Sequence, residues 1–99
     1  MDLDKNIRIC NLIDIYGNLL SDKQLKMLKH YYFEDMSLSE IADIENISRP
    51  AVLDSLHVGI KKVELYETKI GMLSLIEKLK ACVATDDVKK ELTKILEEI

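Results

Sequence analysis

The stretch LSEIADIENISRPAVLDSLH, residues 38–57, limits the fold more than any other part of the chain. Just before it, Ser37 stands three residues ahead of Glu40, the spacing of a capping box, in which each side chain accepts the other residue's amide hydrogen and starts a helix at Ile41 and Ala42. This short helix is expected over about residues 38–44. Glu45-Asn46-Ile47 then reads as a tight turn, because asparagine tolerates the left-handed conformation and Ile47 can fall back onto the core. Ser48 caps the next helix, and Pro50 lies in its first turn, where the missing amide donor costs little. Ala42 is small enough for two helices to approach closely, and Ile47, Val52 and Leu56 fall inward. A capped short helix, a turn and a capped longer helix within residues 37–62 make a helix-turn-helix.

The remainder also reads as helical, so the chain is expected to be an all-α bundle of about five helices. In residues 4–20, Ile9, Leu12, Ile13, Tyr16, Leu19 and Leu20 recur at helical spacing, with Gly17 weakening the end. Ser21 caps a second helix that runs to about Glu34, with Leu25, Leu28, Tyr31 and Tyr32 on its apolar face. After the motif, apolar positions continue from Leu53 through Leu79, mostly at steps of three or four. That spacing predicts one long helix, with Gly59 and Gly71 as places where it bends or frays. Thr85-Asp86-Asp87 caps a last helix ending near Glu98, with Val88, Leu92, Ile95, Leu96 and Ile99 apolar. The helix-turn-helix domain is placed at residues 1–72, and residues 73–99 form a helical extension that packs on that domain or on a partner chain.

Composition removes several function classes. Hydrophobic residues at 47% against 32% charged are too many for disorder, and the charges break every apolar run that could enter a membrane. The start, MDLDKNIRIC, lacks the basic and apolar regions of a signal peptide, so a cytoplasmic protein is expected. Cys10 and Cys82 have no ligand spacing and read as unpaired thiols. His30 and His57 lie on different helices without a matching ligand or carboxylate set, and Asp86-Asp87 and Glu97-Glu98 are adjacent helical residues that point apart. No nucleophile, acid–base pair or metal cluster emerges, so neither an enzyme nor a cofactor or small-molecule substrate is expected.

The net charge of −4 opposes general attraction to nucleic acid. Its distribution is uneven: residues 1–48 carry 5 basic and 9 acidic side chains, residues 49–62 carry 3 and 1, and residues 63–99 carry 6 and 8. Only the second helix of the motif is locally basic. Tyr31, Tyr32 and Phe33 could stack on RNA bases, but aromatics at a helix end more often close a small core.

The longer segment LLSDKQLKMLKHYYFEDMSLSEIADIENISRPAV resembles the sigma-factor region-four-like domains of the winged-helix-like superfamily. Within that group the chain resembles the YlxM family over about residues 7–70. The match is carried by Tyr16, Leu19-Leu20-Ser21, Tyr31-Tyr32, Ser37 to Ala42 and Ser48 to Val52. The resemblance implies a regulator linked to the signal recognition particle pathway through protein or RNA contacts. One residue departs from the family pattern: Pro50 stands where a glutamine is expected, which removes a side chain able to read a base edge.

The contact surface for nucleic acid or partner is therefore expected at Ser48, Arg49, Leu53, His57, Lys61 and Lys62. The alternative function is a dimeric DNA-binding transcriptional regulator, for which Asp54 would sit badly near phosphates. The apolar stripe of the long helix predicts a homodimer through Val63, Tyr66, Ile70, Leu73 and Ile76. The competing arrangement is a helix that bends at Gly71 and buries Leu73, Ile76 and Leu79 on its own core.

Overall fold

The computed structural model describes residues 3–82 and 86–98. The described residues form six α-helices: α1 Leu3–Tyr16, α2 Asp22–Tyr32, α3 Leu38–Glu45, α4 Arg49–Ile70, α5 Met72–Cys82 and α6 Asp86–Glu98. A 3-10 turn at Gly17–Leu19 follows α1. No described helix is long and apolar enough to cross a membrane.

The caps fall where the sequence puts them. Ser21 accepts the Gln24 amide, Ser48 accepts the Ala51 amide, and Ser37 and Glu40 form the reciprocal capping box at 3.1 Å in each direction. Each satisfies amides that the first helical turn leaves without an internal partner. Asn46 ends α3 in the left-handed conformation at φ 56°, so the turn is built as its residue type predicts.

α4 is the axis of the bundle. α1, α2 and α3 all pack against it, and α5 packs on both α1 and α4. Ile9, Leu12, Ile13 and Tyr16 of α1 meet Met27 and Leu28 of α2, Ile41 and Ala42 of α3, and Val52, Leu56 and Val63 of α4 in one core. Ile47 is half-buried against it.

Three sequence expectations are corrected. The first helix does not run to residue 20 as an α-helix: it ends at Tyr16 and tightens into the 3-10 turn Gly17–Leu19, and because a Cβ on Gly17 would lie 2.8 Å from Leu25 Cδ1, the glycine there lets α2 approach closely. Gly59 does not interrupt α4, which is helical throughout Arg49–Ile70. The continuous helix from Leu53 to Leu79 is broken, since Gly71 adopts φ 72° and ends α4 with its amide bonded to the Glu67 carbonyl at 2.8 Å. Leu73 then enters the core, and Ile76 and Leu79 are half-buried, as in the competing arrangement. The proposed cap Thr85 lies outside the described residues, as do the side chains of Val88, Leu92 and Ile99.

The bend gives a direct prediction. No atom lies within 4 Å of a Cβ placed on Gly71, so Gly71→Ala meets no clash and its cost is conformational, about 1 kcal/mol for a left-handed alanine. Thermal unfolding should show this as a modest drop in midpoint.

Candidate functional site

The outward face of α4 begins at its cap. Ser48 is exposed but its hydroxyl is engaged by the Ala51 amide at 3.2 Å, so its first role is to start the helix. Arg49, Pro50, Leu53, Asp54, His57 and Lys61 follow on the exposed side; Pro50, Leu53, His57 and Lys61 recur at steps of three and four and form one stripe along the helix, with Asp54 beside it. Arg49 has no ion-pair partner among the described residues. Lys62 lies beside the stripe and donates to Gln24 Oε1 at 3.3 Å, which ties α4 to α2.

The chemistry of this stripe is mixed. Arg49 and Lys61 are cationic, while Asp54 places a carboxylate between them and opposes a phosphate approaching the middle of the face. Leu53 is 41% exposed, and Val58 on the adjoining edge is similarly open. At the turn, Ile44 at the end of α3 is also exposed. The face can therefore bury apolar area against a partner and add a few charged contacts at its margin.

Five residues were expected to form an intermolecular stripe, and the fold separates them. Val63 and Leu73 are buried in the protomer's own core, Tyr66 and Ile76 are half-buried, and only Ile70 is open, at 55% exposure. Tyr66 packs on Tyr16 with ring centroids 6.1 Å apart.

Two buried polar clusters hold this arrangement, and sequence reading missed both. In the first, Glu67 is only 9% exposed. Its Oε1 accepts the Tyr16 hydroxyl at 2.6 Å and the Leu73 amide at 3.0 Å, and its Oε2 accepts the Ser74 amide at 3.1 Å. The Tyr16 hydroxyl in turn accepts the Met72 amide at 3.1 Å. Together the carboxylate and the phenol cap α5 and fix the bend at Gly71. Burial by itself would raise the Glu67 pKa, but the Tyr16 hydroxyl and the Leu73 and Ser74 amides outweigh it, with Arg8 helping, and hold the carboxyl below its ordinary value. Burial and the bond to Glu67 push the Tyr16 phenol up. A sequence signal existed: position 67 continues the inward series Val52, Leu56, Val63 at a step of four, and an acidic residue in a core register needs buried donors.

In the second cluster His30, 8% exposed, lies between Glu34 and Glu45, with Nδ1 3.2 Å from Glu34 Oε2 and Nε2 3.0 Å from Glu45 Oε1. Lys26 also reaches Glu45 Oε1 at 3.2 Å. The His30 bond, then Lys26, lowers the Glu45 pKa. The cluster braces the end of α3 against α2 just before the motif's turn. His57 stands apart on the open face of α4. Among the described residues no group of histidine, cysteine and carboxylate side chains could hold a metal ion.

Comparison with known proteins agrees with this architecture. Residues 3–99 match the family described as "Putative helix-turn-helix protein, YlxM / p13 like". A family protein of Malacoplasma penetrans is 52% identical over 66 residues, covering 67% of this chain and 62% of that protein, somewhat under two thirds of its length. Relatives from Shouchella clausii, 35% identical over 98% of this chain and 95% of theirs, and Fusobacterium nucleatum, 37% identical over 100% and 99%, align almost end to end.

Proposed function

The chain belongs to the YlxM/p13-like helix-turn-helix family, and on that footing we propose that it is a non-catalytic, cytoplasmic regulatory module that contacts protein or RNA of the signal recognition particle pathway. The observation that carries this reading is the open stripe of α4. Leu53 and Val58 offer apolar area, Arg49, His57 and Lys61 flank it, and Asp54 interrupts the positive charge. A duplex reader needs side chains that fork onto base edges and cations that follow the phosphates. Pro50 and Leu53 have no such donors, and Asp54 repels the backbone. The acidic surroundings point the same way.

Selection from random duplex DNA at moderate salt separates this reading from a dimeric transcriptional regulator. The expected result is no sequence enriched above nonspecific background. An enriched paired site whose binding is lost in Arg49→Ala would replace the proposal with DNA regulation.

Self-association belongs to the same proposal in altered form. Leu65, Ile70, Met72 and Leu75 leave apolar area open along the end of α4 and the start of α5, where a second copy would cover it. Solution mass across a dilution series should report a dimer that Ile70→Glu weakens, and a monomer at micromolar concentration would remove it.

A further inference from the structure

After α2 the chain turns through Asp35, a left-handed residue at φ 54°, and the Met36 amide closes the turn onto the His30 carbonyl at 3.0 Å. Beside this turn, facing α1, lies a cleft of about 380 Å³ lined by Asn6, Tyr31, Tyr32, Asp35, Met36 and Glu40. It is large enough to take one long side chain. The Tyr31 and Tyr32 rings meet nearly perpendicular, 78° apart with centroids at 5.0 Å, so the ring that offers its edge keeps both faces clear of its neighbour.

The charge of the cleft has one sign. Its charged lining groups are Asp35 and Glu40, with no cation among them. Asp35 has no hydrogen-bond or ion-pair partner among the described residues. Glu40 engages the Ser37 amide through Oε1, which leaves Oε2 for another donor. The carboxyl end of α2 adds negative partial charge. The amino end of α3 would favour an anion, but Ser37 already satisfies its Glu40 amide and the Glu40 carboxylate sits over it. Phosphate is therefore disfavoured, and a flat cation that can lie on a ring while forking onto carboxylates is favoured.

We propose that this cleft is a docking pocket for an arginine side chain of a partner polypeptide, whose guanidinium stacks on the tyrosine pair and donates to Asp35 and Glu40. Guanidinium meets both requirements at once, being planar, always charged and built with donors in a fork, whereas an ammonium offers only a point charge. The pocket shares no residue with the open stripe of α4, so it stands or falls separately from the reading of that surface.

Backbone amide NMR of the intact chain, titrated with N-acetyl-arginine amide, tests this directly. Saturable shifts are expected at Tyr31, Tyr32, Asp35, Met36 and Glu40, weaker ones with the lysine analogue and none with the uncharged citrulline analogue. Asp35→Asn keeps a residue type that accepts the left-handed turn, and it should weaken arginine binding by about two- to fivefold, the worth of a partly exposed ion pair. Combining it with Glu40→Gln should remove saturation. Equal shifts with citrulline, unchanged binding in the double variant, or the same amides shifting more strongly with tetrauridylate would overturn the proposal, the last in favour of an RNA site.

Discussion

Glu67→Ala should lower the unfolding free energy by about 3 kcal/mol, because it strands the buried donors that this carboxylate serves. The Tyr16 hydroxyl and the Leu73 and Ser74 amides all bond to this carboxylate, and Leu73 is itself a core residue. In a chain of 99 residues such a loss should move the thermal midpoint down by roughly 15 °C. Glu67→Gln should cost less, about 1–2 kcal/mol, since one amide end still accepts while the other cannot. Hydrogen exchange locates the effect: Leu73 and Ser74 amides should lose protection before those in the α2–α4 core. Unchanged stability of Glu67→Ala would mean that the capping cluster does not hold the bend.

The same cluster sets the acid response. The folded-state Glu67 carboxyl ionises below its ordinary value of 4.5, so its contribution is full above that value and disappears as pH falls through the lower folded value. Glu45, held low first by His30 and then by Lys26, acts in the same direction. Stability should therefore fall below about pH 4.5. Glu67→Gln should flatten that fall, because the side chain that takes up the proton is gone.

Gly59→Val should be about as damaging, at about 3 kcal/mol, through overpacking. A Cβ at position 59 would already stand 2.9 Å from Leu28 Cδ1 and 3.2 Å from Leu28 Cγ, and Leu28 is fully buried. Valine adds two methyl groups beyond that Cβ in the contact that joins α2 to the axis. Gly59→Ala brings only the Cβ and regains about 1 kcal/mol of helix propensity, so it should be far milder. Chemical denaturation of the two variants checks the ordering. Equal effects would show that α2 shifts freely, contrary to the tight contact.

The helix-turn-helix was legible because its signals are local. Ser37, Glu40, Asn46, Ser48 and Pro50 each favour one backbone state within a few residues, and all five states agree. The path after α4 was not legible in the same way. An apolar period of three to four residues describes equally well one long helix and two helices joined at a bend, and left-handed Gly71 together with the partners of Glu67 decides between them. Those partners come from α1 and from the next helix, which a reading along one helix does not bring together. Gly59 failed for a related reason. Within α4 it is a weak helix former, and its use appears only when Leu28 of another helix is placed against it. His30 likewise read as a histidine without carboxylate partners until the fold set it between Glu34 and Glu45. The open stripe of α4 was legible as a face, since inward Val52 and Leu56 leave Leu53 and His57 outward by helical geometry. What binds there is a property of a second molecule.

The most direct test is co-purification of the tagged chain from native cell extract, compared with its Leu53→Asp variant, with both protein and RNA quantified. Leu53 is exposed and outside the core, so the variant should fold as the parent does. Contact through the open stripe of α4 should enrich signal recognition particle protein or RNA with the parent chain and lose it with Leu53→Asp. Absence of every particle component from the parent sample, or equal recovery with both chains, would contradict it.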